Sequence, residues 1–209
     1  MSDAASQTSK SSADDGVPTA VRKRPKPGER RIQILQTLAA MLEQPGAERI
    51  TTAALAAKLE VSEAALYRHF ASKAQMFEGL IEFIEQSVFS LVNQIAEREP
   101  SGTSQAGKVV LMLVQFAEKN PGMTRVMVGD ALVFENDRLQ QRMNQFFDKI
   151  EASLRQSLRD GASATPTVDA QVRATALTAF VMGRLQRYAR SGFRRLPSEH
   201  LENSLALML

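Results

Sequence analysis

Residues 51–73 read TTAALAAKLEVSEAALYRHFASK, and the fold of the whole chain turns on them. Thr51 or Thr52 offers a capping hydroxyl to the orphan amides of a first helical turn. Leu55, Ala56 and Leu59 then recur at helical spacing, which predicts a short helix over 52–59. Glu60-Val61 makes a tight corner, and Ser62 caps a second helix that turns Val61, Leu66 and Phe70 inward. The same helix carries Tyr67, Arg68 and His69, and Lys73 follows in the first turn of the next one. Two short helices across such a corner form a helix-turn-helix, here residues 51–70, whose second helix enters the DNA major groove.

That reading assigns contacts. Thr51 and Thr52 face a phosphate if the helix end abuts DNA. Ser62, Ala64 and Ala65 open the recognition helix with small side chains, and the two alanines suit thymine methyls. Tyr67 and Lys73 are expected on phosphates, His69 on a phosphate or a base edge, and Arg68 either on DNA or as a brace within the head.

Upstream, residues 1–20 hold three Asp and one Lys without periodicity, and are expected to be disordered. Arg22, Lys23, Arg24, Lys26, Arg30 and Arg31 follow, opposed only by Glu29. So basic a run just before a helix-turn-helix reads as an arm for phosphates or the minor groove, with Arg24 its representative contact. Ile32, Leu35, Leu38, Ala39 and Leu42 place a first helix from Glu29 that stops before Pro45-Gly46.

Downstream, Phe77, Leu80, Ile81, Ile84, Val88, Leu91, Val92 and Ile95 form one stripe of a long fourth helix from Ser72 to near Pro100. The run VVLMLVQFA (109–117) is apolar on every side and predicts a buried central helix, broken at Asn120-Pro121-Gly122. A short piece to Gly129, a helix over 131–159, the loop GASATPT, a helix over 168–190 and a last one after Pro197 complete an all-α chain. Its expected domains are a polar, basic arm (1–27), a DNA-binding head (28–88) and a helical regulatory and dimerisation part (89–209).

Several functions are disfavoured. The chain has no Cys, which removes disulfides and thiolate chemistry. Its two histidines, His69 and His200, lie far apart in sequence, and no phosphate-loop, HExxH or GxSxG motif occurs. No enzyme, cofactor or metal site is expected. No apolar run reaches membrane-span length and no signal-peptide core opens the chain, so a soluble, cytoplasmic protein is expected. Phe83 and Phe89 sit at or beyond the edge of the fourth helix's stripe, either as core margin or as the wall of a groove for a partner peptide.

The stretch ITTAALAAKLEVSEAALYRHFASKAQMF resembles the DNA-binding head of TetR-type transcriptional regulators. LIEFIE (80–85) and EKNPGMTRVMVGDALVFENDRLQQRMNQFFDKIEASLRQ (118–156) extend the resemblance to that family's nucleoid occlusion branch. The resemblance implies a nucleoid-associated homodimer on palindromic double-stranded DNA that antagonises the tubulin-like division protein FtsZ. It also implies that the FtsZ tail lies between helices four and five, against Phe83, Met112, Gln115, Lys119 and Asn120. A ligand-responsive TetR-type repressor is the alternative within the fold. An adaptor that never touches DNA is a third reading, opposed by the basic arm and Tyr67-Arg68-His69.

One small head makes few base contacts, so two must be held about one helical turn, roughly 34 Å, apart. Leu177, Phe180, Val181 and Leu185 are the expected dimer contacts, with the last two helices pairing across a twofold axis.

Overall fold

The computed structural model describes residues 28–44, 49–159 and 166–209. The basic arm with Arg24, the Pro45-Gly46 stop and most of the GASATPT loop lie outside these residues. All regular secondary structure among the described residues is helical. The head comprises α1 (Glu29–Leu42), α2 (Thr52–Lys58) and α3 (Glu63–Tyr67). Then follow α4 (Lys73–Arg98), α5 (Gly102–Lys119), α6 (Pro121–Met127), α7 (Asp137–Leu158), α8 (Pro166–Arg190) and α9 (Leu201–Met208).

Local rules explain the boundaries. The Thr51 hydroxyl accepts from the Ala54 amide at 3.1 Å, and Ser72 does the same for Gln75 at 3.2 Å. At the end of α2, Glu60 takes a left-handed conformation (φ 55). Its amide donates to Ala57 and that of Val61 to Ala56, a Schellman closure that makes the predicted corner. Ser62 has the backbone conformation of a cap, but its hydroxyl makes no cap bond. The Thr52 hydroxyl donates instead to the Glu63 carboxylate at 2.6 Å and ties the two helices together.

Helix α7 starts six residues later than expected. A 3-10 turn at Asp130–Leu132 comes first, and the Asn136 side chain then caps α7 by accepting from the Arg138 amide. Apolar Leu132 is buried in both readings, so periodicity alone ran through the cap signal. In α1, Ile34 occupies the core position expected of Ile32, which is 58% exposed. Along α4, Leu91 also leaves the stripe and is 38% exposed.

Helix α5 is the centre of the body, packed among α4, α6, α7 and α8, as its apolar run predicts. Helix α4 links head and body. Its buried Phe77, Leu80 and Ile81 meet the head, while Ile84, Val88 and Val92 continue the seam into the body. Phe89 belongs to that body seam, edge-on to Phe146 of α7 with ring centroids 5.5 Å apart. Three ion pairs flank the seam. Lys73 pairs with Glu135, Glu78 with Arg138 at 2.8 Å, and Glu85 holds Arg142 through two bonds of 3.2 and 2.6 Å. The Glu85 bonds raise the proton affinity of Arg142 further.

Head and body also meet where α6 crosses α1. A Cβ on Gly122 would stand 2.0 Å from the Ala39 carbonyl oxygen, so only glycine permits this approach. Gly107 differs, since a Cβ there would meet only Leu209 at an ordinary 3.4 Å. Gly122→Ala is therefore expected to destabilise by about 1–3 kcal/mol. Gly107→Ala should be neutral or stabilise by up to about 1 kcal/mol. Urea unfolding midpoints of the two variants check the contrast.

Candidate DNA-reading face and adjoining groove

The head presents one continuous exposed edge. Thr51 caps α2, Ala64 and the half-buried Ala65 line the start of α3, and Tyr67, Arg68 and His69 stand in solvent at its end. Helix α3 is only five residues long, so Arg68 is its cap residue and His69 lies in the following turn. Among the described residues, no side-chain hydrogen bond engages Tyr67, Arg68 or His69, which leaves their polar ends open to a ligand. Thr52 and Ser62 share the edge, but the Thr52 hydroxyl is committed to Glu63.

Arg31 departs from its expected place in the phosphate-binding arm. Its guanidinium stacks over Phe70 at 4.1 Å and donates to the His69 carbonyl at 2.9 Å. It therefore braces α1 against the end of α3 and fixes the turn that carries His69. No sequence signal separated Arg31 from its basic neighbours, because its partner lies 38 residues away.

Lys73 opens α4 directly beneath this edge, where the helix N-terminus favours anions. Its ammonium contacts Glu135, a carboxylate only 10% exposed, in the turn before α7. A phosphate docking here would have to compete with Glu135 for the one cation.

On the other side of the head lies an apolar recess of about 360 Å³. Ile32 and Leu35 of α1 form one wall, Leu80 and Phe83 of α4 the second, and Asn120 and Met123 the third. Phe83 is 48% exposed, so this aromatic face is open. The recess brings together two of the five expected groove residues, Phe83 and Asn120. Met112, Gln115 and Lys119 are not among its lining residues. They follow one another at i, i+3 and i+7 on α5, half-buried or exposed, in a row that leads to Asn120. The Asn120 side chain is fixed by donating to the Phe116 carbonyl at 2.8 Å. The contribution of α1 was missed in the sequence, and exposed Ile32 is the residue that signals it.

Three of the four expected dimer contacts are corrected. Leu177, Val181 and Leu185 are fully buried in the protomer's own core, and Phe180 is half-buried against it beneath Arg184 at 4.4 Å. The outward face of α8 is instead formed by Val168, Val172, Ala179, Met182 and Gly183, with both valines about 60% exposed. Among the described residues, no group of three or more His, Asp or Glu residues is placed to hold a metal. No helix there is long and apolar enough to cross a membrane.

Comparison with known proteins adds to this geometry. Residues 34–80 match the family model "Bacterial regulatory proteins, tetR family", and residues 103–209 match the SlmA-like model "Tetracyclin repressor-like, C-terminal domain". The nucleoid occlusion factor SlmA of Idiomarina loihiensis is 50% identical over 182 residues, 86% of this chain and 93% of that protein. SlmA of Vibrio cholerae is 51% identical over 185 residues, covering 86% and 93%. Among solved structures, a TetR transcriptional regulator from Legionella pneumophila superposes with a TM-score of 0.69 at 15% identity, covering 87% of this chain and 97% of that one.

The Lys73–Glu135 contact sets a prediction. Glu135→Gln should strengthen DNA binding by leaving Lys73 free, whereas Lys73→Ala should weaken it. Lys73→Ala should also lower the steepness of log K against log salt by about one. Fluorescence anisotropy across a salt series checks both. Equal affinities for the two variants and the unaltered protein would take Lys73 off the DNA.

Proposed function

The chain belongs to the SlmA family of TetR-type DNA-binding regulators, and we propose that it is a nucleoid occlusion factor whose DNA-bound dimer antagonises FtsZ assembly. The observation that carries this reading is the apolar recess at Phe83. Its walls come from both parts of the protein, Ile32 and Leu35 from the head and Phe83, Asn120 and Met123 from α4 and the body. A peptide seated there depends on how the head sits against the body. DNA fixes the head, so DNA and peptide stabilise the same arrangement and each strengthens the other.

The FtsZ tail is the proposed occupant. Its apolar side chains enter the recess, and its chain continues along α5 past Asn120, Lys119, Gln115 and Met112. Lys119 supplies a cation for an acidic residue of the tail. Thr51, Ala64, Ala65, Tyr67, Arg68, His69 and Lys73 hold the palindromic DNA, joined by Arg24 and the rest of the basic arm. Ser62 and Thr52 act mainly by shaping the α2–α3 corner.

The dimer is proposed to form through the outward face of α8. Val168, Val172 and Met182 supply apolar area, and Ala179 and Gly183 allow close helix approach. Leu177 and its buried neighbours support that face from behind.

A second reading, the ligand-responsive repressor, draws on a recess of about 510 Å³ where the ends of α4 and α7 meet the start of α5. Asn93, Gln105 and Gln156 line it beside Val92 and Val109, a mixture suited to an uncharged polar molecule.

Pelleting of FtsZ polymers separates the readings. With its DNA site present, the protein should reduce the pelleted fraction, and less so without DNA. Polymers unaffected under both conditions would leave the repressor reading in front. Phe83→Ala should keep its DNA affinity and lose antagonism by roughly tenfold or more, the usual effect of removing an aromatic anchor. For the dimer, Met182→Glu should yield a folded monomer in size-exclusion chromatography with light scattering. Leu177→Ala should instead lower stability by about 2–5 kcal/mol, as for a buried leucine.

A further inference from the structure

The C-terminal third of the chain carries a charge imbalance that neither DNA nor the groove uses. From Ala170 to Ser198 there are six arginines and no Asp or Glu. Three of them, Arg184, Arg187 and Arg195, line a single recess of about 380 Å³ where the end of α8 faces α9. His200 and Ser204 complete its polar wall, and Leu196 and Pro197 give it an apolar side. Glu199 is its only carboxylate, and it lies 3.9 Å from the His200 imidazole. Among the described residues, no ion pair neutralises any of the three arginines.

The site is built rather than merely basic. Arg184 donates to the carbonyls of Pro197 and Glu199 at 2.8 Å each and to the Ser204 hydroxyl at 3.0 Å. These bonds lock the 196–200 loop onto α8 and make Arg184 a fixed positive floor. Its Nε is buried and has no hydrogen-bond partner. Burial, and next the charge of Arg187, reduce its hold on its proton, and the nearby Glu199 carboxylate offsets them only in part. Arg187 and Arg195 are exposed, and among the described residues neither guanidinium makes a hydrogen bond, Arg195 being held only through its backbone amide, which donates to Ser191. A solvated basic helix face would hold its arginines apart and pointing outward. Here they surround a concavity.

We infer that this recess binds a small phosphate-bearing anion, with the guanidinium forks of Arg187 and Arg195 closing on its oxygens over the fixed charge of Arg184. Two free forks offer more donors than one carboxylate accepts, and guanidinium geometry matches phosphate oxygens in pairs. The volume lies at the small end of organic-ligand sites, and the Leu196–Pro197 side suits an organic portion. A soluble organic phosphate and a phospholipid headgroup share this chemistry, and the test separates the two.

The full-length protein is titrated calorimetrically with inorganic pyrophosphate and with ATP at constant ionic strength. In parallel it is sedimented with vesicles of phosphatidylcholine alone or mixed with phosphatidylglycerol. The expected result is saturable binding of one anion per chain, weakened at least about tenfold in Arg187→Glu/Arg195→Glu. DNA affinity and oligomeric state, the controls for folding, should stay unchanged in that variant. Binding to the phosphatidylglycerol vesicles alone, lost in the same variant, assigns the recess to lipid headgroups. If the double variant does not fold, Arg195→Gln is measured in its place. No saturable binding of any probe by the unaltered protein overturns the inference, as does equal binding by the variant. Dissociation of the dimer in the variant, with no probe bound by the unaltered protein, makes the recess a subunit contact and overturns it too.

Discussion

The close approach of α6 to α1 at Gly122 is the constraint on which the functional surfaces depend. With the Ala39 carbonyl where a side chain would otherwise begin, the first turn of α6 lies directly on the head. Met123 and Asn120 then face Ile32 and Leu35, and Phe83 of α4 closes the third side. Move α6 outward by the width of a methyl group and the recess opens into a flat surface. The contact is small in area, but it places two parts of the protein around one pocket. Packing alone can thus link an event at the head to an event in the body, because a close-packed contact either holds or breaks.

The head was legible from its sequence because local and tertiary signals agree there. Cap hydroxyls, small residues and apolar spacing all point to the same two helices, and the Schellman closure at Glu60 follows even without the glycine usual at such a corner. Most of the α4 seam and the central place of α5 were equally plain, though Leu91 and Gln115 are exposed. Disagreement arose where one signal competed with another. In the turn before α7, apolar Leu132 continued the helical pattern while Asn136 announced a cap, and the cap prevailed. In α1, Ile32 and Ile34 are chemically alike, so periodicity could not say which one faced the core.

The proposed dimer face and groove were harder to read, for a common reason. Large apolar residues in a helical stripe mark a face that is buried, and a stripe does not say against what. Leu177, Val181 and Leu185 met that criterion and are buried within one protomer. The outward side of α8, proposed as the dimer face, carries fewer and smaller apolar groups, Ala179 and Gly183 among them, as a face that must also survive in water does. The groove is subtler still, because its α1 wall lies about fifty residues upstream of Phe83 and no local pattern connects them.

Charge is distributed in two distinct ways, and the contrast orders the molecule. Between α4 and the α7 segment three cations meet carboxylates, Lys73 with Glu135, Arg138 with Glu78 and Arg142 with Glu85. Such part-exposed pairs each add little to stability, about 0–1 kcal/mol. Their value lies in register, since sliding α4 along α7 by one turn would set Glu78 and Glu85 against the wrong partners. At the end of α8 the arginines have no such partners, and Arg184 spends its hydrogen bonds on backbone carbonyls and a hydroxyl instead. A fold that neutralises its charges at the head–body seam and leaves them unneutralised around a recess has not simply run short of acids, since 23 are present in the chain. The unneutralised end is where an outside anion has the most to offer.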